Sequence, residues 1–184
     1  MQDYTPTARF DNTNLIYQNH FKFSIEALPD VTFFVQNINH PGVTVPIAPR
    51  GNPFTRIPEV GDHLAFGALD LTFLVDGKML NYYSLFYWLQ GYAFPQSFEQ
   101  LQQFAAQRRR LLSNPRPALR EIQKTSATLY VLQPDTNKTI AEVQYTDVFP
   151  TSLGQLSFDT TSDATPLKVS ASFEYTYFDI VLVR

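Results

Sequence analysis

Near the C-terminal end of the chain, Leu167, Val169, Ala171, Phe173, Tyr175 and Tyr177 alternate with Lys168, Ser170, Ser172, Glu174 and Thr176. Side chains of an extended strand point alternately to its two faces, so this period of two predicts one long strand, buried on one side and wet on the other. Phe21, Phe23 and Ile25 alternate with Lys22, Ser24 and Glu26 in the same way and predict a first strand. Leu28-Pro29-Asp30 predicts a turn, and residues 31–38 a second strand that forms a hairpin with the first. Leu69, Leu71, Phe73 and Val75 predict a further strand that stops at Asp76-Gly77. Residues 128–132 and 139–148 predict another hairpin across a turn at 133–137, and residues 155–158 a short strand before a polar turn at 159–165.

Two segments have a helical pattern instead. Between Asp76, a candidate N-cap, and Gly91, a candidate stop, apolar residues occupy nearly every angular position. A helix with so little polar surface is covered on more than one side. The segment 97–112 pairs Ser97 with Gln100 in capping-box spacing and carries a face of Phe98, Leu101, Phe104 and Ala105, with Arg108, Arg109 and Arg110 in its last turns and Asn114-Pro115 as its end. It predicts an amphipathic helix on the outside of the fold.

Residues 39–61 contain Pro41, Pro46, Pro49, Pro53 and Pro58. Missing amide donors and a fixed φ rule out a helix there and disfavour a central strand. Val43, Val45, Ile47, Phe54 and Ile57 in the same stretch argue for a projecting loop that docks against something. Residues 1–19 are polar and irregular and read as an arm that orders only against a partner; residues 20–184 read as one domain, with the 40–61 loop and a helical insertion at 95–123. The fold class expected is mainly β: a sandwich or barrel with a flanking helix and one extra helix.

Composition narrows the function. With 16 Phe, 10 Tyr and one Trp but only 17% charged residues, the 184-residue chain either builds a two-sided core or covers part of its surface with a partner. A net charge of −3 gives no support to coating nucleic acid. The absence of cysteine excludes disulfides, thiolate metal sites and a Cys nucleophile. The N-terminus has neither the basic region nor the apolar stretch of a signal peptide, and no segment reaches membrane-spanning length, so a product that stays in the cytosol or leaves without the general secretory route is expected. His20, His40 and His63 stand singly, no nucleotide or hydrolase motif occurs, and Asp62 beside His63, with Thr55 as the nearest hydroxyl, is a poor acid/base pair. Asn137-Lys138-Thr139 reads as a turn. No enzyme, cofactor or metal is expected.

An early strand pair, a Pro-rich loop, a strand, an aromatic helix, a hairpin and a final alternating strand, in this order, resemble the tail tube proteins of contractile-tailed, T4-like bacteriophages. The nearest local match is Phe149-Pro150-Thr151-Ser152-Leu153-Gly154-Gln155-Leu156-Ser157-Phe158-Asp159, with the family's aromatic-Pro-Thr, its Gly and its apolar-x-apolar-Asp. Residues 28–42, with Phe33, Phe34 and Pro41-Gly42, match more loosely, and the likeness runs over about residues 20–180. The resemblance implies a sandwich or barrel assembled as hexameric rings, closed into a larger barrel and stacked into a hollow tube inside a contractile sheath. It implies a structural virion protein, assembled in the host cytoplasm and resident in the tail. The tube would conduct DNA and a tape-measure protein without binding them tightly and would template the sheath. Copies of itself, the sheath protein, and baseplate and terminator proteins are the implied partners, with no membrane. The related secretion-system tube protein shares the fold.

Under this resemblance, Val43, Val45, Ile47, Phe54 and Ile57 contact the next ring, and Tyr83, Tyr87 and Trp88 contact neighbours within a ring. Glu26, Asp70, Glu142 and Glu174 face the lumen, where mild negative charge keeps DNA from sticking, and Arg108, Arg109 and Arg110 face the sheath. The segment 97–120 is longer than the family's connection, which leaves room for a baseplate tube initiator or a secretion-type ring. A reading of another class is a monomeric β-sandwich that holds carbohydrate with its Tyr residues and Trp88.

Overall fold

A computed structural model describes residues 15–51, 54–93, 97–109, 123–161 and 164–183. The predicted helix end at Asn114-Pro115, Arg110, and most of both the arm and the 95–123 insertion lie outside the described residues.

Six strands form a chain of antiparallel neighbours: β1 (Phe21–Ile25), β8 (Thr125–Leu132), β9 (Thr139–Leu153), β10 (Lys168–Glu174), β7 (Leu69–Leu74) and β2 (Val35–Asn39), while β11 (Tyr177–Leu182) also pairs with β9. The 15-residue β9 belongs to two sheets. Its first part pairs with β8 and β11, and residues 149–153 pair with β10. The first sheet is therefore β1-β8-β9-β11, and the second is β9-β10-β7-β2. Their inner faces share one core, which holds Phe23, Leu129, Val143 and Tyr145 from the first sheet and Leu69, Phe73, Val169 and Phe173 from the second. The period-two patterns of β1, β7 and β10 point inward as expected, and the predicted 128–148 hairpin is β8–β9.

Three expectations about strands are corrected. Residues 31–38 do not form a single strand: Pro29 opens a short helix, α1 (Pro29–Phe34), where its fixed φ and missing N–H suit the first helical turn. Thr32 Oγ1 holds that turn, donating to Leu28 O at 3.1 Å and accepting from Ile25 N–H at 3.0 Å. The remaining strand, β2, pairs with β7 and not with β1, so there is no first hairpin. The long C-terminal strand breaks into β10 and β11. Tyr175 is buried, but so is Phe178, so the alternation slips by one residue at the corner between them. There Thr176 N–H donates to Thr146 O at 3.0 Å, and its Oγ1 to Asp147 Oδ2 at 3.1 Å. Lys124 Nζ reaches the same carboxylate at 3.4 Å, and Asp147 itself has φ 62°, so the bend of β9 and the β10–β11 corner are pinned at one carboxylate. Finally, residues 155–158 form no strand; the ladder ends where Gly154 N–H donates to Ser170 O at 2.7 Å. A Cβ on Gly154 would lie 2.7 Å from Ser170 Oγ and 2.9 Å from its carbonyl oxygen, so the Gly of the matched motif is needed for this close approach.

Helix α2 (Leu80–Ala93) starts later than the predicted cap implied: a turn follows Asp76, Met79 has φ 55°, and Asp76 Oδ1 accepts from Leu80 N–H at 2.7 Å where the helix begins. Asn81, fully buried, donates to Leu74 O at 2.7 Å and so ties the helix to the end of β7. Gly91 is not the stop: it lies inside the helix, facing α3 (Phe98–Arg109). A Cβ there would sit 2.5–2.8 Å from the Phe104 ring, so the glycine lets α3 dock its buried Phe104 and Ala105. Phe98, expected on that apolar face, is exposed.

Candidate assembly surfaces

Between β2 and β7 the Pro-rich stretch leaves the sandwich as a two-step antiparallel ribbon. Its base is β3 (Val43–Thr44) paired with β6 (Ala65–Phe66), and its outer part is β4 (Ile47–Gly51) paired with β5 (Arg56–Val60). Pro49 stands opposite Pro58; in a two-stranded ribbon both outer edges are free, so a missing amide removes no ladder bond there. The register sorts the side chains. Opposed pairs share a face, which places Ile47, Val60, Pro49, Pro58, Gly51 and Arg56 on one side and Ala48, Glu59, Arg50 and Ile57 on the other. Arg50 Nη1 and Glu59 Oε1 meet at 3.3 Å on the second side. Phe54, near the tip, is 95% exposed and Val60 is 87% exposed; Val43, Val45, Ile47 and Ile57 are also exposed. The five residues named from the sequence all lie on this ribbon, but Ile57 is on the face of the Arg50–Glu59 pair, away from Ile47. Val60 was missed, although its place opposite Ile47 gives it the same face.

Helix α2 buries Asn81, Leu85, Trp88 and Gly91. Trp88, expected at an inter-subunit contact, is 2% exposed and its Nε1–H donates to Gln123 O at 3.1 Å, so it belongs to the subunit's own core and offers no surface to a neighbour or to a sugar. Tyr83 is exposed and Tyr87 half-buried, their rings stacked at 6.2 Å and 24°. Leu80 and Phe86, exposed beside them and not named from the sequence, complete an apolar stripe at helical spacing.

The four carboxylates assigned to a lumen divide between two surfaces. Glu26 and Glu142 lie on the outer face of the first sheet, in line with Lys22, Tyr130 and Gln144. Asp70 and Glu174 lie on the outer face of the second, where Asn39, Asp70, Ser172 and Ser152 form one row and Ser172 Oγ donates to Asp70 Oδ1 at 2.5 Å. The structure does not bring the four together: two sheets that share a core turn their outer faces to different sides. Arg108 and Arg109 lie in the last turn of α3; Arg110 lies outside the described residues.

The first sheet leaves both outer strands, β1 and β11, unpaired on their far edges among the described residues. Its inner face also extends beyond its cover. Across the sheet, Phe23, Leu129 and Val143 are buried, yet Ile180 in the same row is 51% exposed; Leu182, opposite Ala141, is exposed as well.

Each histidine has a hydrogen-bonding neighbour. His63 Nδ1 and Asp62 Oδ1 are 2.9 Å apart in solvent, where that bond holds the Asp62 carboxyl below its usual range; Thr55 is also exposed. His20 Nδ1 meets Asn19 Oδ1 at 2.9 Å. His40 Nδ1 meets Tyr145 Oη at 2.7 Å, its ring edge-on to Phe178 at 4.8 Å; partial burial lowers its pKa and burial raises that of Tyr145. No cluster of three His, Cys, Asp or Glu suited to a metal occurs among the described residues, and no described helix is long and apolar enough to cross a membrane.

No family model matches the chain, and no curated protein matches it in sequence. Solved structures do. A chain of the sheath–tube complex of an extracellular contractile injection system, PVC, in its extended state superposes with a TM-score of 0.59 at 15% identity, over 98% of this chain and 100% of that one. A chain of the anti-feeding prophage cap, which terminates the tube, gives 0.60 at 12% identity over 95% and 96%. A chain of the six-fold symmetrised anti-feeding prophage baseplate gives 0.56 at 14% over 94% and 99%. At these identities the likeness establishes a shared fold.

Proposed function

We propose that this chain is a non-enzymatic, ring-forming subunit of the inner tube of a contractile tail or tail-like injection apparatus. The carrying observation is the first sheet: open at both edges among the described residues, with Ile180 and Leu182 uncovered at one of them. Closing such a sheet against identical copies removes strand edges that would otherwise aggregate and buries the overhanging apolar rows. Fold-level similarity to chains of a sheath–tube complex and of tube-associated assemblies supports the same reading. In the finer form, six copies close each ring and rings stack through the Pro-rich ribbon, with the apolar stripe of α2 against a neighbour and the Arg108–Arg110 end toward a sheath. The tail tube of a phage virion, assembled in the host cytoplasm and passing DNA, is one setting; an extracellular injection particle is the other. If the first sheet closes the ring with its outer face inward, the lumen carries Glu26 and Glu142 but not Asp70 and Glu174.

A second reading, a ring at the baseplate or at the end of the tube, is favoured by the comparable superposition on baseplate and cap chains. Negative-stain microscopy with light scattering on the purified chain tests both. Long hollow tubes support the main reading and single hollow rings the second; a compact monomer at high concentration overturns both.

A further inference from the structure

Along β11 the backbone groups face alternately inward to β9 and outward to the open edge. Val183 N–H donates to Ile140 O at 2.9 Å, which makes residues 183 and 140 a hydrogen-bonded pair of the antiparallel ladder. Bonded pairs recur at every second residue, and the register runs unbroken from Tyr177 opposite Thr146 to Leu182 opposite Ala141. Tyr177, Asp179 and Val181 therefore bond β9, while Phe178, Ile180 and Leu182 turn their N–H and C=O groups to the edge. The Phe178 and Leu182 amides have no partner among the described residues. The Ile180 amide between them has one: Asp179 Oδ1, from the neighbouring residue, accepts from it at 2.9 Å.

Asp179 has no competing partner. Its side chain starts from the outer face of the first sheet, in the row Ser24, Thr128, Gln144 and Asp179. Gln144 Nε2 turns away to Glu142 Oε2, at 3.4 Å, and no Lys or Arg among the described residues pairs with Asp179. The carboxylate thus sits at the middle amide of the edge, where the carbonyl of an added strand would have to lie. On the inner face, Ile180 extends the buried row of Phe23, Leu129 and Val143 but is exposed, as is Leu182, so an added strand has apolar surface to cover. Charged side chains on edge strands are one of the ways in which sheets resist pairing at random.

We propose that Asp179 guards the β11 edge of the free subunit, its carboxylate holding the Ile180 amide until a strand of a neighbouring copy displaces it. The inference rests on the ring-forming reading above and adds a control to it. Closure exchanges the Asp179 bond for one to a backbone carbonyl and returns the carboxylate to solvent. Each contact must therefore give up one exposed hydrogen bond, which lowers the association constant about fivefold for a bond of ordinary strength. A copy that brings apolar side chains over Ile180 and Leu182 offsets that loss, and a chance strand without them does not.

Two measurements on the full chain test the guard. The first is residue-resolved hydrogen exchange, at a concentration where the chain sediments as a single subunit. Relative to unstructured rates, the Ile180 amide should exchange about fivefold more slowly than those of Phe178 and Leu182. Asp179→Ala should erase that difference, and Asp179→Asn, which keeps an acceptor in place, should retain most of it. The second is light scattering against protein concentration. Asp179→Ala should assemble at a concentration at least about fivefold lower than the unsubstituted chain, with Asp179→Asn close to the latter. Equal protection of the three amides in the unsubstituted chain overturns the proposal. So does assembly of Asp179→Ala at the unsubstituted concentration, and so does an Asn variant that matches the Ala variant, because charge and not the bond would then be the barrier. If the unsubstituted chain and Asp179→Ala both stay single at every concentration, the ring-forming reading itself fails and takes the guard with it; rings that form without regard to Asp179 sink the guard alone.

Discussion

Val60→Asp separates folding from stacking. The side chain is 87% exposed on the β4–β5 ribbon, opposite Ile47 and on the face that carries both prolines, with Arg56 four residues away on the same strand, so the subunit loses almost no burial; its stability should change by less than about 0.5 kcal/mol. If that face meets the next ring, burying Val60 there contributes about 1.5 kcal/mol, the low end for a valine side chain. A six-fold ring repeats every contact six times, so the loss is about 9 kcal/mol per ring interface, or roughly six orders of magnitude in the stacking constant. Forcing a carboxylate into each dry contact adds to that loss. Ile57→Asp is the internal control, because the register puts Ile57 on the other face, beside Arg50, where a carboxylate has a cation at hand. Electron microscopy and sedimentation velocity read the assembly, and a thermal scan reads the fold. The expected result is intact rings without tubes for Val60→Asp, tubes for Ile57→Asp, and unchanged melting for both. Tubes of normal length from Val60→Asp would refute the assignment of that face.

Gly91→Ala gains about 1 kcal/mol of helix propensity but places a methyl group against the Phe104 ring at under 3 Å; with overpacking costing about 1–3 kcal/mol, a net loss of roughly 1 kcal/mol is expected in chemical denaturation, and Gly91→Ala with Phe104→Leu should recover part of it. Asn81→Leu removes the side chain that donates to Leu74 O and accepts from Asp76 N–H at 3.2 Å inside the protein, and should cost about 2–3 kcal/mol in the same assay. The lowered pKa of His40 means that the unfolded chain binds its proton more readily than the folded one. Its contribution to stability should therefore be complete above about pH 6.5 and fall away as the pH drops through the lower folded value, and His40→Gln should flatten the melting temperature between pH 6.5 and 5. An unchanged slope in that variant would show that His40 is not the group responsible.

What the sequence disclosed follows the range of the forces involved. β7, the β8–β9 hairpin and α2 are set by periodicity, caps and a short turn, all local. The partner of β1 is β8, about a hundred residues away, and no local signal distinguishes it from β2; Pro29 serves a turn and a helix N-terminus equally well until the buried Val31 and the Thr32 bonds decide for the helix. The β10–β11 corner left a trace that strict alternation hides: Tyr175, Tyr177 and Phe178 cannot all lie on one face of a strand, and the core takes Tyr175 and Phe178. Surface assignments divide along the same line. An apolar residue between prolines has no core to enter, so Phe54 and its neighbours could be placed outside from sequence. Trp88 could not, because on a helix apolar all round only the positions of β9 and α3 decide which side is buried. The four carboxylates named together for a lumen divide between two surfaces for a further reason. Alternation tells inner from outer within a strand, but which outer faces coincide depends on β9 passing from one sheet to the other, and that bend rests on a single residue, Asp147, at positive φ and held by Lys124 and Thr176. A surface made by several strands is therefore legible only once the corner that joins them is known.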